Sequence, residues 1–90
     1  MTYKVLLLPH AVRDYKKLNP SVKPKIQSAI DSLQNHPLSG PKIKRLKGRL
    51  REYFRYRVED YRVVYTVVQE DKAVYVDYIQ HRKDVYRNIE

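Results

Sequence analysis

Ninety residues make one domain with a single modest core and no second lobe. With 19 basic against 10 acidic residues the formal charge is +9, which favours nucleic acid, an anionic surface or an acidic protein as partner. The absence of cysteine excludes a disulfide framework, a thiolate metal site and a cysteine nucleophile; the apolar run Val5–Leu8 is too short for a signal peptide or a membrane span, so a cytoplasmic protein that engages no membrane is expected.

Lys4 to Leu8, ending at Pro9, reads as a first strand, and His10 to Leu18 as a short helix with Val12, Tyr15 and Leu18 at spacings of three. Asn19-Pro20 marks a break and a restart, with the asparagine as cap and the proline in the first turn. Val22, Ile26, Ala29, Ile30 and Leu33 then form the clearest amphipathic stripe in the chain, with Pro24 close enough to the start to be tolerated, shifting the first turn rather than abolishing the helix. The helix is expected to stop near Asn35-His36-Pro37. Leu38 to Gly48 reads as a basic loop containing a short strand around Ile43 to Leu46. Three strands follow, about Tyr53–Val58, Tyr61–Val68 and Ala73–Ile79, joined by the polar turns Glu59-Asp60 and Gln69–Lys72. The tail from Gln80 to Glu90 is short and charged. Neither repeats nor linkers interrupt the chain, so residues 1–90 are one α+β domain: an N-terminal strand and a helical hairpin packed on one face of a small, mainly antiparallel sheet.

Nine tyrosines against one phenylalanine and no tryptophan suit half-buried strands whose ring edges stay wet, and tyrosine also stacks on nucleobases. The arginines are more informative. If Glu59-Asp60 is a two-residue hairpin turn, Arg57 lies opposite Arg62 and Arg55 lies diagonal to it, all on one face, because side chains alternate along a strand and paired residues point the same way. The helices then cover the Phe54/Tyr56/Val63/Tyr65 face and leave an arginine-bearing face floored by Val64 and Thr66. Like charges opposite one another are destabilising, so this face calls either for a bound polyanion or for pairing with Glu52, Glu59, Asp60 or Asp77.

Leu46-Lys-Gly48, Tyr53-Phe-Arg-Tyr-Arg57, Asp60-Tyr-Arg-Val-Val-Tyr65 and His81-Arg-Lys-Asp-Val-Tyr86 together resemble the RelE/ParE toxin superfamily, in particular its RelE-like branch. The resemblance runs nearly the whole length. It implies a small basic endoribonuclease, an mRNA interferase, that cuts messenger RNA in the ribosomal A site and is neutralised by a cognate RelB-like antitoxin. The toxin–antitoxin complex is further expected to bind operator DNA. Relatives of the ParE type share the fold but poison DNA gyrase without nuclease chemistry, and a non-catalytic nucleic-acid-binding module is a third reading. Carried over residue by residue, the family's functional positions fall on Arg55, Arg57, Arg62, Arg82 and Tyr86. Well-known members have lysines where this chain has Arg55 and Arg57; arginine clamps phosphate but does not give up a proton.

Metal-free cleavage of RNA requires the ribose 2′-oxygen to attack the adjacent phosphate, with charge neutralised on the phosphate and two protons managed. Arginine forks suit the phosphate. For the base, Tyr86 has a phenol whose pKa neighbouring arginines would lower, and His81 has the better intrinsic pKa. Lys42, Lys44, Arg45 and Lys47 are expected to ride on RNA. The three histidines lack metal-site spacing, so no metal or other cofactor is expected.

Overall fold

Pro9 ends the first strand and opens the first helix, since its fixed φ and missing N–H suit a helix's first turn but not a ladder. The computed structural model describes residues 2–83, in which β1 (Lys4–Leu7) is followed by α1 (Pro9–Lys16). Then come α2 (Lys23–Ser32), β2 (Ile43–Arg45), β3 (Phe54–Val58), β4 (Tyr61–Val68) and β5 (Ala73–His81). The second helix starts later than Asn19-Pro20 suggests. Asn19 forms a turn instead, its carbonyl accepting from Val22 and Lys23, and Pro24 occupies the first helical turn. A helix begun at Pro20 would place the Pro24 ring against the carbonyl four residues back and lose that hydrogen bond.

The five strands lie in the order β1-β5-β4-β3-β2, with β1 parallel to β5 and the other pairs antiparallel. Both helices cover one face, called inner here. Ala11 and Leu18, together with Ile26, Ala29, Ile30 and Leu33, pack there with Phe54, Val58, Val63, Tyr65, Val74, Val76 and Ile79. Tyr65 is fully buried, stacks on Phe54 with ring centroids 5.5 Å apart, and donates its hydroxyl to the Pro37 carbonyl at 2.6 Å. That bond ties the loop after α2 to the middle of the sheet. Burial, and secondarily Tyr56, pushes the Tyr65 phenol well above its ordinary value of 10.0.

Two irregularities keep β5 in the core. Val64 pairs with Tyr78 while Tyr65 pairs with Val76, so Asp77 is the extra residue of a β-bulge. Strict alternation from Val74 and Val76 would turn Ile79 outward; the bulge returns it to the inner face, where it is 2% exposed. The second concerns the strand's edge. β1 accompanies β5 only to Val76, and beyond that point the Ile79 N–H donates to Asp14 Oδ2 of α1 at 3.0 Å. The same carboxylate oxygen lies 3.1 Å from His10 Nδ1. A helix side chain thus satisfies a ladder donor that the short edge strand leaves unpaired.

Two stability predictions follow from these bonds. Tyr65→Phe leaves the Pro37 carbonyl unpaired and should cost about 1–3 kcal/mol, read as a lower urea midpoint at unchanged m-value. Because the folded phenol titrates above the unfolded one, stability should hold below pH ~10 and fall as pH rises beyond it, and Tyr65→Phe should blunt that alkaline loss. Asp14→Ala should likewise cost about 1–3 kcal/mol, with faster hydrogen exchange at the Ile79 amide than at Val63 or Val74.

Candidate RNA-binding face

The face away from the helices carries the arginines in rows set by strand register. One row runs Lys44, Arg55, Val64, Tyr78 across β2 to β5, and the next runs Arg57, Arg62, Gln80 across β3 to β5. Arg57 is directly opposite Arg62 and Arg55 is diagonal to it, as a two-residue turn requires. Neighbouring strands are about 4.8 Å apart, so these backbone positions are closer than the Debye length of about 8 Å at physiological salt, and screening alone does not separate the charges. Val64 is fully buried beneath this face and Thr66 is half-buried.

The hairpin's acids do not neutralise β3. Glu59, in a left-handed conformation at φ 53°, forms an ion pair with Lys25 of α2. Asp60 faces Arg82, whose backbone N–H donates to the Asp60 carbonyl at 2.7 Å and whose Nε lies 3.8 Å from Asp60 Oδ1. Those two side chains are 59% and 66% exposed, so the ion pair contributes little and is readily exchanged for another anion. The Arg62 guanidinium donates to the carbonyls of Glu59 and Tyr61, both at 2.9 Å, which fixes it at the hairpin tip. Among the described residues neither half-buried Arg55 nor exposed Arg57 has an acidic partner. Arg57, Arg62 and Arg82 therefore gather around one turn, with Arg55 and Lys44 extending the charge along the sheet.

Asp77 joins this face through the bulge rather than through pairing with an arginine. Its Oδ2 is buried without a hydrogen-bond partner, and burial raises its carboxyl above the ordinary 3.8. Tyr53, which precedes β3, has a phenol raised first by burial and then by the charges of Asp77, Tyr78 and Glu52, so its hydroxyl lies within electrostatic reach of β5. No sequence signal announces the bulge, because the alternation of β5 is broken at a residue of unremarkable type.

Other expected positions fall elsewhere. His81 pairs with Tyr61 and packs edge-on against its ring at 5.5 Å, so alternation puts it on the inner side, away from the arginines. Arg45 pairs with Phe54, lies over that ring at 5.4 Å and donates Nε to the Arg51 carbonyl at 2.8 Å; it braces the strand edge instead of extending the outer face. Lys42 lines clefts beside α2 with Tyr56. Lys47 is exposed ahead of Gly48, whose φ of 66° is the reason for a glycine there. Tyr86 lies outside the described residues. No cluster of three or more His, Cys, Asp or Glu with metal-site geometry exists among the described residues.

The comparisons agree with this architecture. A family model described as "ParE toxin of type II toxin-antitoxin system, parDE" matches residues 5–86. RelE1 of Methanocaldococcus jannaschii is 33% identical over 90 residues, spanning 98% of this chain and 99% of that protein. Among solved structures, the toxin–antitoxin complex RelBE2 from Mycobacterium tuberculosis contains a chain of 28% identity and TM-score 0.82, covering 91% of this chain and 100% of that one. The archaeal RelE–RelB complex from Pyrococcus horikoshii contains one of 27% identity and TM-score 0.77, covering 91% and 97%. The chain belongs to the RelE/ParE superfamily, the toxins of type II toxin–antitoxin systems.

Proposed function

We propose that the outer face is a catalytic RNA site, and that this toxin is a ribosome-dependent endoribonuclease that cleaves messenger RNA in the A site. The observation that carries the reading is the opposition of Arg57 and Arg62, with Arg55 beside them, on a face whose hairpin acids, Glu59 and Asp60, pair with Lys25 and Arg82 instead of with β3. Three guanidiniums so placed are repulsive without an anion and bind a phosphodiester with charge-assisted hydrogen bonds.

In the proposed reaction the 2′-oxygen forms a bond to phosphorus as the bond to the 5′-oxygen of the next nucleotide breaks, leaving a 2′,3′-cyclic phosphate and a free 5′-hydroxyl. The 2′ proton leaves to a base and the departing 5′-oxygen acquires a proton. Arg57 and Arg62 hold the non-bridging oxygens, where charge grows in the transition state. Arg55 and Arg82 hold flanking phosphates or the leaving group, Arg82 by exchanging its weak pairing with Asp60 for RNA. Neither Arg55 nor Arg57 can serve as base, since a guanidinium keeps its proton. His81 faces the helices, so Tyr86 is the remaining proposed base. The 2′-hydroxyl is itself the nucleophile, so the proposed mechanism uses no metal. Lys44 and Lys47 add contacts to ribosomal or messenger RNA.

In this reading a cognate RelB-like antitoxin neutralises the toxin in the cytoplasm, its acidic segment competing with RNA for the arginine face, and the complex binds operator DNA. The description of the matching family model favours a second reading, a ParE-type gyrase poison without nuclease chemistry.

The test is primer extension on a defined message in a reconstituted translation system, with and without ribosomes. Wild type should cut in the A-site codon only when ribosomes are present. Arg57→Ala, which removes a side chain with no acidic partner among the described residues, should slow cutting about 100-fold or more by analogy with losing an oxyanion donor. Arg62→Ala should do the same, with its melting temperature measured because Arg62 also braces the turn. Intact message from a folded wild-type toxin that still arrests growth would sink the nuclease reading and leave the gyrase-type one.

A further inference from the structure

The tyrosines divide by face. Tyr65 lies in the core and Tyr3, Tyr15, Tyr56 and Tyr61 pack against it. Tyr86 lies outside the described residues. The other three, Tyr53, Tyr75 and Tyr78, belong to neither group; all are half-buried and stand on the arginine face. None of the three belongs to the inner core cluster, and of them Tyr78 packs against His10 of α1.

Their spacing suits a flat ligand. Tyr75 is opposite Thr66, and because Phe54 is opposite Tyr65 the antiparallel register brings Tyr53 to the other side of the same Thr66. With strands about 4.8 Å apart, Tyr53 and Tyr75 are anchored about 10 Å apart with Thr66 between their strands and Asp77 of the bulge at the border towards Tyr78. Offset-stacked rings have centroid separations of about 4.5–7 Å, so one planar group between two rings needs about 9–14 Å. Tyr78 borders this slot in the row that contains Arg55, its ring held edge-on against His10 at 4.5 Å. Along β3, Arg55 follows Tyr53 on the same face at about 6.8 Å, placing a phosphate clamp directly beside the rings.

We infer that Tyr53, Tyr75 and Tyr78 form a nucleobase-stacking wall on which an unstacked base lies over Thr66 while Arg55 holds the adjacent phosphate. This deepens the proposed RNA site and rests on the reading of that face as RNA-binding. Single-stranded RNA is commonly recognised in this way, with cationic side chains following the backbone and aromatic rings taking bases of any identity. The wall gives the toxin affinity for splayed bases rather than for duplex.

The test compares two probes by fluorescence anisotropy at low salt: hexauridylate and a hexamer of abasic ribose phosphates. Stacking is worth roughly 5- to 150-fold per base, so wild type should bind hexauridylate at least tenfold more tightly. Tyr53→Leu/Tyr75→Leu should bind both probes alike at a melting temperature close to wild type, whereas Tyr53→Phe/Tyr75→Phe should keep the preference. Arg57→Ala should weaken both probes by the same factor. A preference retained by the folded leucine variant, or no preference in wild type, overturns the stacking wall. If base preference is present and lost on leucine substitution while message is never cut, the wall stands and the nuclease proposal falls. Cutting with no base-dependent binding gives the reverse.

Discussion

The register of β3 against β4, with Phe54 opposite Tyr65, is the constraint on which both faces of this sheet depend. A slip by one residue would carry Phe54 and Val58 to solvent and drive Arg55 and Arg57 into the helices. Tyr65 resists that slip from the inner side through its stacking on Phe54 and its bond to the Pro37 carbonyl. An isolated charge forced into the core would cost far more than the few kilocalories per mole by which small domains are stable. The hydrophobic face therefore dictates where the arginines stand, even though they contribute nothing to the core.

Once the arginines are placed, the distribution of acids decides what the outer face can do. The chain has ten acidic residues, enough in principle to neutralise three arginines. The two in the hairpin turn are drawn to either side of it, Glu59 towards α2 and Asp60 towards Arg82. Asp77, delivered to the outer face by the bulge, keeps a buried oxygen without a hydrogen bond and a carboxyl whose ionisation burial opposes. Among the described residues Arg55 and Arg57 of β3 are left without an acidic partner, and charge of this kind raises association rates with polyanions as well as affinity.

Membership of the RelE/ParE superfamily accounts for the architecture, but chemistry resides in the site and not in the fold. Toxins of different chemistry can share one scaffold, so the proposed assignment rests on which side chains the outer face presents. Here those are arginines where a lysine pair is familiar, together with three tyrosines that the core leaves aside. In the proposed site, Arg55 and Arg57 clamp phosphate and take no part in proton transfer, since a guanidinium keeps its proton. The proposed division of labour follows: guanidiniums for charge, rings for bases, and a phenol for the proton.

Much of this is legible in the amino-acid sequence. Period-two alternation in residues 53–68 and a polar two-residue turn determine which residues share a face, and the 3.6-residue stripe from Val22 to Leu33 determines what covers the other, because both periodicities are local geometry. Where tertiary contacts compete with local preference, the chain alone was silent or misleading. His81 is adjacent in sequence to Arg82, yet strand extension through the bulge turns it towards Tyr61 and the helices. Arg45 belongs by composition to a basic loop, and only its pairing with Phe54 makes it a brace. Which acid meets which base, that Asp14 satisfies the Ile79 amide, and which tyrosines the core leaves out are facts about residues far apart in the chain. Such pairings depend on strand order and on where one edge strand stops, which only the folded structure settles.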